Sequence, residues 1–270
     1  MRAPNEEDIA RILAINKARG FLGMWGSIDC MHWGWDKCPK ALQGMYKGKE
    51  GKPTVILEAV ASYDTWIWHA FFGMPRTLND INVLNCLPFL VKVIQGDFQI
   101  PPYVLHRVER TNAYFLADGI YPQLSCLVKT IHEPMTITQH YFAKRQEGAR
   151  KDVERTFALL QRRFWILAQN SRFWFKEHMH LIITCCIVLH NMILEDERDE
   201  LTTQEKEYFL EYDEVLTEPT FFDRQPRNNN AVEQTPLCEL MDRLVGLDNP
   251  TEHFSLRHDL SVYLWNNRSG

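Results

Sequence analysis

Several features that would place this chain in a familiar class are missing. Its 270 residues contain no unbroken apolar run of membrane-spanning length; the best candidate, residues 181–194, is fourteen residues long and carries His190 and Asn191. A span needs roughly 18–20 apolar residues, so this stretch is expected to be a buried helix. The opening residues, MRAPNEEDIARI, hold no apolar signal region, and nothing there points to secretion. No Cys-x-x-Cys pair occurs among the seven cysteines, and Cys185 and Cys186 are adjacent. An odd count with that spacing argues against a disulfide framework, and reduced thiols in an intracellular compartment are expected. There is no internal repeat. Net positive charge is lacking too: 30 Lys and Arg stand against 35 Asp and Glu, a net of −5. That is unusual for a protein acting on duplex DNA, where phosphate neutralisation dominates binding.

What is present is unevenly distributed. Between Tyr141 and Lys176, nine Lys and Arg (144, 145, 150, 151, 155, 162, 163, 172, 176) face three acids (147, 152, 154), a local net of +6. Between Glu195 and Asp223, twelve acids face Arg198 and Lys206, a local net of −10. A basic segment followed by an acidic one suggests separate tasks. A hydrophobic content of 45% with eight tryptophans is enough for a substantial core.

The pattern of elements predicts an α/β fold. Residues 1–20 read as a helix: Asn5 can cap it, Glu6, Glu7 and Asp8 suit its first turn, and Gly20 can end it. A strand is predicted over 24–32, then a loop rich in Gly, Lys and aromatics over 33–52. TVILEAVAS after Pro53 is a nearly continuous apolar strand of the kind buried on both faces. Tyr63 and Asp64 form a tight turn into a further strand over 65–72, making an antiparallel hairpin. A helix over 81–95, a Pro-containing loop, a strand over 113–117 and a last strand over 124–131 follow. In ARKDVERTFALLQRRFWIL, Val153, Phe157, Leu160, Phe164 and Leu167 make a helical apolar stripe. Residues 178–197 are apolar nearly all round and are expected to form a well-buried helix. Residues 199–236 read as an acidic linker, and 237–270 as a helical tail docked on the core. Three strands followed by alternating helices and strands match an RNase H-like mixed sheet flanked by helices better than a Rossmann-type βαβ start.

That fold would bring three acids together. Asp29 lies in the first strand, Asp118 at the carboxyl end of the strand AYFLA, and Glu154 at the margin of the helical apolar stripe. Phosphodiester cleavage needs a nucleophilic water, neutralisation of phosphorus oxygens and a stabilised leaving oxygen. Two metal ions about 4 Å apart supply all three. Mg²⁺ or Mn²⁺ prefers carboxylate oxygens, and Asp29 is the expected bridge between two ions. Without metal the carboxylates repel one another and at least one pKa should rise.

The blocks GSIDCMHW, EGKPTVILEAVASYDTWIWHAFFGMPRTLNDINVL, YFLADGIYP, FAKRQEGARKDVERTFALLQRRF and LHNMILEDERDE resemble the PIF/Harbinger transposase family. The closer likeness is to its plant transposon-type branch and to Harbinger-derived nucleases. It covers roughly residues 20–200, and LRHDLSVYLW resembles the family's C-terminal signature. Several blocks in the right order are far more specific than one motif. The resemblance implies a DDE triad falling on Asp29, Asp118 and Glu154, with residues 21–198 as the catalytic core. Residues 1–20 would be the remnant of the longer N-terminal region that members carry. It also implies DNA as substrate, a nuclear location and a separate Myb-like DNA-binding partner; a homo-oligomer and no membrane association are expected.

Other residues are read more plainly. Asp80 in LNDINVL is either an accessory acid near the metals or, the better reading, a helix N-cap. His32 falls on the strand face opposite Asp29. Lys144, Arg145, Lys151, Arg155, Arg162 and Arg163 are read as phosphate contacts beside the scissile bond. His178 and His180 have no Cys at ligand spacing and are not read as zinc ligands; His190 and Asn191 are read as a buried hydrogen-bonding pair. Two functions follow: a metal-dependent DNA nuclease or transposase core, or a catalytically silent, domesticated transposase acting as a chromatin or transcription interaction protein.

Overall fold

The computed structural model describes residues 2–48, 51–75, 87–199 and 246–268. Asp80, the first part of the helix expected over 81–95 and nearly all of the acidic linker lie outside them. The first helix, α1 (Glu6–Ala18), begins at a capping box: Asn5 Oδ1 accepts from the Asp8 N–H and Asp8 Oδ2 from the Asn5 N–H. It ends before Gly20, whose φ of +89° suits glycine.

A mixed five-stranded sheet follows. Strand β1 (Met24–Gly34) pairs antiparallel with β2 (Thr54–Ala61), which pairs antiparallel with β3 (Ile67–Pro75). On its other edge β1 runs parallel to β6 (Tyr114–Ala117), and β6 parallel to β7 (Leu127–Lys129). The spatial order is β3-β2-β1-β6-β7. Buried on both faces, β2 reads as an apolar run because it has no solvent side. The short helix α2 (Lys40–Tyr46) interrupts the segment expected to be loop.

Two departures have clear physical reasons. Between α3 (Leu87–Gln95) and β6 the chain makes a separate hairpin, β4 (Gln99–Leu105) with β5 (Val108–Asn112), where only a loop was expected. Pro101 and Pro102 speak against a strand. The turn residues His106 and Arg107, at φ +49° and +69°, adopt a positive-φ geometry usually signalled by Asn-Gly. Second, α4 (Ile137–Arg163) starts well before the apolar stripe and stops at Phe164. Its first turns are polar, and its start is marked only by the Thr136–Gln139 capping box.

Helix α4 lies along one sheet face. Its N-terminal half packs Phe142 and Ala149 against Met24, Leu116 and Val128; its C-terminal half packs Val153, Phe157 and Leu160 against Met31, Leu57 and Ala59. The opposite face buries Trp25, Ile28, Val60 and Phe115 against Ile12 of α1 and Phe89 of α3. Buried side chains of this size contribute about 1.5–3 kcal/mol each. After α5 (Trp165–Ala168), the loop before the next helix is pinned where Trp33 and Trp35 donate to the Gln169 and Phe173 carbonyls, both at 2.7 Å. The last helix, α7 (Pro250–Asn266), inserts Leu256, Leu260 and Leu264 beside Phe21 and Met24. A β-carbon on Gly20 would lie 2.4 Å from Leu264 Cδ2.

Helix α6 (Lys176–Asp199) is not well buried, contrary to expectation: Leu181, Val188, Leu189, Met192 and Ile193 are 38–65% exposed. It packs through one side only, and all-round apolarity does not reveal which side. It is also the one described helix with enough length and mean hydropathy (1.4) to cross a membrane. His190 and Asn191 nevertheless tie it to the sheet domain. Asn191 accepts from the Ile67 N–H at 3.0 Å and donates to the Ile67 carbonyl at 2.8 Å, while His190 Nε2 lies 2.9 Å from the Thr65 carbonyl.

An ion cluster joins α1, the β2–β3 turn and the end of α6. Asp64 pairs with Arg11 and Arg198, and Asp8 with Arg2 at 2.5 Å and Arg11 at 3.1 Å. Burial pushes both carboxyls up, but the arginines outweigh it and hold both below the ordinary 3.8. Depressed values stabilise the fold above pH 3.8 and cease to do so as pH falls through the folded pKa. Asp64→Asn is expected to cost about 2 kcal/mol at pH 7, below the usual figure for a fully buried pair. Its melting temperature should also fall less than that of wild type between about pH 5 and 2; parallel acid limbs would show that the cluster is not the acid-sensitive element.

Candidate active site

The last paired residues of β1 and β6 are Ile28 and Ala117. Asp29 and Asp118 are the next residues on each strand, so both emerge where the parallel ladder ends. Beyond this point β1 continues paired only to β2, with Asp29 opposite Ala59. The parting of β1 from β6 is the sort of strand-end crevice in which α/β sheets place their sites. Asp118 Oδ1 accepts from the Gly119 N–H at 2.6 Å, and Asp29 Oδ1 from the Cys30 N–H at 2.8 Å.

Helix α4 is fixed above this crevice by two buried polar contacts. Gln146 Nε2 donates to the carbonyls of Ala117 at 3.2 Å and Val128 at 3.0 Å, and Ser27 Oγ lies 3.3 Å from the Ala149 carbonyl. One turn beyond Gln146 comes Arg150, and one further turn Glu154. Arg150 Nη1 donates to Asp29 Oδ2 at 2.8 Å, and its Nη2 forms an ion pair with Glu154 Oε1 at 2.7 Å. Asp29 and Glu154 therefore share one guanidinium, and Asp118 stands beside Asp29 where the two strands part. Side-chain exposure is 15% for Asp29 and 44% for Glu154, so the cluster opens to solvent on the helix side.

Electrostatics records the same convergence. Burial raises the Asp29 pKa, and the charges of Asp118 and Glu154 raise it further; the Cys30 N–H and Arg150 oppose this without cancelling it. That is the expected rise in one member of a carboxylate cluster. No group of three His, Cys, Asp or Glu among the described residues is placed to hold a metal ion. The donor set nevertheless suits a hard cation: carboxylate oxygens from two elements already point at one positive charge.

The sequence reading missed three neighbours. Arg150 is four residues before Glu154, a spacing that places them on one helix face, and it was counted only as a basic residue. Lys129, paired with Ala117 across β6–β7, donates to the Tyr121 carbonyl at 2.6 Å; burial lowers its pKa, while Asp118 pulls it up. The His132 ring lies over Gly119, with Nε2 2.6 Å from where a β-carbon would be. No local pattern announces Lys129 or His132, because the turn after Asp118 and the β6–β7 pairing bring them in.

The six expected phosphate contacts are not brought together. At about 100° per residue, Lys144, Lys151, Arg155 and Arg162 lie within roughly 60–100° of Glu154, whereas Arg145 and Arg163 lie on the far side. Arg145 donates to the Arg19 carbonyl at 2.8 Å, and Arg163 pairs with Glu197 at 2.9 Å and sits 3.2 Å from His190 Nδ1. Arg155 stacks over Tyr63 at 5.0 Å and donates to its carbonyl. Lys144, Lys151 and Arg162 remain exposed beside the acids. His32 is exposed, 3.2 Å from Thr54 Oγ1. Cys30 faces away from the acids with Glu58 and Tyr121, and burial, then Glu58, pushes its thiol to about 12. His178 and His180 lie beside aromatic rings.

The chain belongs to the plant transposon protein family, which matches residues 1–201. Among curated proteins it is similar to "Protein ALP1-like" of Arabidopsis thaliana, 29% identical over 156 residues, 56% of this chain and 38% of that protein. It is also similar to "Putative nuclease HARBI1" of Bos taurus and of Homo sapiens, 24% identical over 183 residues, 67% of this chain and 48% of each relative. The chain thus spans less than half the length of these relatives. No solved structure matches it. Family and relatives agree with the resemblance drawn from the sequence blocks.

Gln146 holds α4 in register over β6 and β7, so Gln146→Leu should lose two hydrogen bonds of about 1 kcal/mol each. Urea unfolding should show a lower midpoint at unchanged slope, equivalent to a loss of about 2 kcal/mol; an unshifted midpoint would remove Gln146 as the clamp.

Proposed function

We propose that this chain is the core of a DNA nuclease or transposase that cleaves phosphodiester bonds with Mg²⁺ or Mn²⁺ held by Asp29, Asp118 and Glu154. The observation that carries this reading is that one guanidinium pairs with both Asp29 of β1 and Glu154 of α4, with Asp118 beside Asp29 where β1 parts from β6. The order β3-β2-β1-β6-β7, antiparallel then parallel, supports an RNase H-like fold. Divalent ions supply water activation and charge neutralisation in such chemistry. The chain itself contributes the ligand oxygens, the partial burial that strengthens their attraction for a cation, and exposed Lys144, Lys151 and Arg162 for flanking phosphates. A net charge of −5 for the whole chain, despite this basic helix, fits a division of labour, in which a Myb-like partner provides much of the DNA affinity in the nucleus. A second reading, a domesticated interaction protein, draws on the exposed apolar side of α6, which would equally suit a homo-oligomer.

Nicking of supercoiled plasmid by purified protein in Mg²⁺ or Mn²⁺ is the direct test. Asp29→Asn, Asp118→Asn and Glu154→Gln should each reduce the rate about a hundredfold or more. Full activity in all three variants would sink the assigned site, and a well-folded wild type with no activity on any DNA would favour the interaction reading. Separately, Lys151→Ala and Arg162→Ala should weaken DNA binding evenly across sequences. Each should flatten the plot of log affinity against log salt by about 0.9; an unchanged slope would place phosphate elsewhere.

A further inference from the structure

We infer that Arg150 is an internal counter-cation: it holds the carboxylates together before metal arrives, competes with metal for them, and on displacement becomes a ligand for a DNA phosphate. The inference rests on the metal-site reading above and adds to it the residue that controls loading. The argument begins with which oxygens are committed. Asp29 Oδ1 accepts from the Cys30 N–H, so Oδ2 is the oxygen facing the crevice, and Arg150 Nη1 is bound to it at 2.8 Å. Glu154 Oε1 is bound to the other terminal nitrogen at 2.7 Å. A metal drawn to these carboxylates meets a guanidinium already on the oxygens it needs. Two positive charges cannot share that space in a half-buried setting, where Coulomb repulsion is several times stronger than in water.

The helix alone does not explain this placement. An acid four residues before a base is the favourable order on a helix, and Arg150–Glu154 is the reverse. Asp29, from the sheet, completes the arrangement and keeps the guanidinium, 16% exposed, over the crevice. Three carboxylates against one guanidinium leave the cluster with net negative charge, which keeps it attractive to a divalent ion. The guanidinium sits on a flexible stem beside the solvent-open Glu154. It has a planar pair of donors suited to phosphate oxygens. Release therefore puts a phosphate-binding group next to the vacated carboxylates.

The test measures Mn²⁺ binding by calorimetry and melting temperature with and without Mn²⁺, for wild type, Arg150→Met, Arg150→Lys and Asp29→Asn. Arg150→Met keeps the stem and removes the charge; it should bind Mn²⁺ about tenfold more tightly than wild type. It should melt lower than wild type without metal, and the gap should close at saturating Mn²⁺. Arg150→Lys, which keeps the charge but lacks the guanidinium's planar fork, should fall between them and guards against a folding defect in the Met variant. With Mn²⁺ present, Arg150→Met should bind a DNA duplex more weakly than wild type. Unchanged or weaker Mn²⁺ binding in Arg150→Met, with binding abolished in Asp29→Asn, would overturn the counter-cation role and leave the metal site standing. Wild-type Mn²⁺ binding in Asp29→Asn would overturn both.

Discussion

The hydrogen-bonded ladder between β1 and β6 ends at Ile28 and Ala117, and the placement of the functional groups depends on where it ends. Because the two strands run parallel, their next residues leave the ladder side by side. β1 is also held on its other edge by β2 through Gly34, so the parting cannot close by β1 bending across. Two carboxylates on adjacent strand ends would repel one another. The fold tolerates them by leaving the crevice partly open and by presenting an arginine from the helix above.

That helix works because its two halves bury different clusters and its middle is polar. Ala149 belongs to the cluster around β6, β7 and α7, and Val153 to the cluster under β1 and β2. Between them Arg150 reaches Asp29 across the seam, and Glu154, one turn further, pairs with Arg150. Gln146 and Ser27 fix the position along the helix axis, so apolar packing supplies adhesion while the hydrogen bonds supply register. Asn191 does the same for α6 against β3, where its side chain answers both backbone groups of Ile67.

Strand β2 was legible because it is buried on both faces and rich in β-branched residues, and the acids because strand ends and a helix margin are local features. The hairpin of β4 and β5 was not: its prolines and its His106–Arg107 turn carry none of the residues that normally announce that geometry. Helix α4 was legible only where its apolar stripe runs; its polar first turns depend on a capping box that had been overlooked. The basic residues looked like one group in the sequence, yet helical geometry divides them, with Arg145 and Arg163 serving the fold. Burial of α6 was over-read because an apolar composition gives no direction.

The meeting of Gly20 and Phe21 with Leu256, Leu260 and Leu264 bears on how the molecule is made. A core cluster that draws on both the opening and the closing part of the sequence cannot close while the later part is still being synthesised. Until α7 is available, apolar residues of β1, β6 and α4 stand uncovered. Contacts of such long sequence separation form slowly, and intermediates with exposed apolar surface are prone to aggregate. The helix at the end of the described chain is therefore the step on which escape from that intermediate depends.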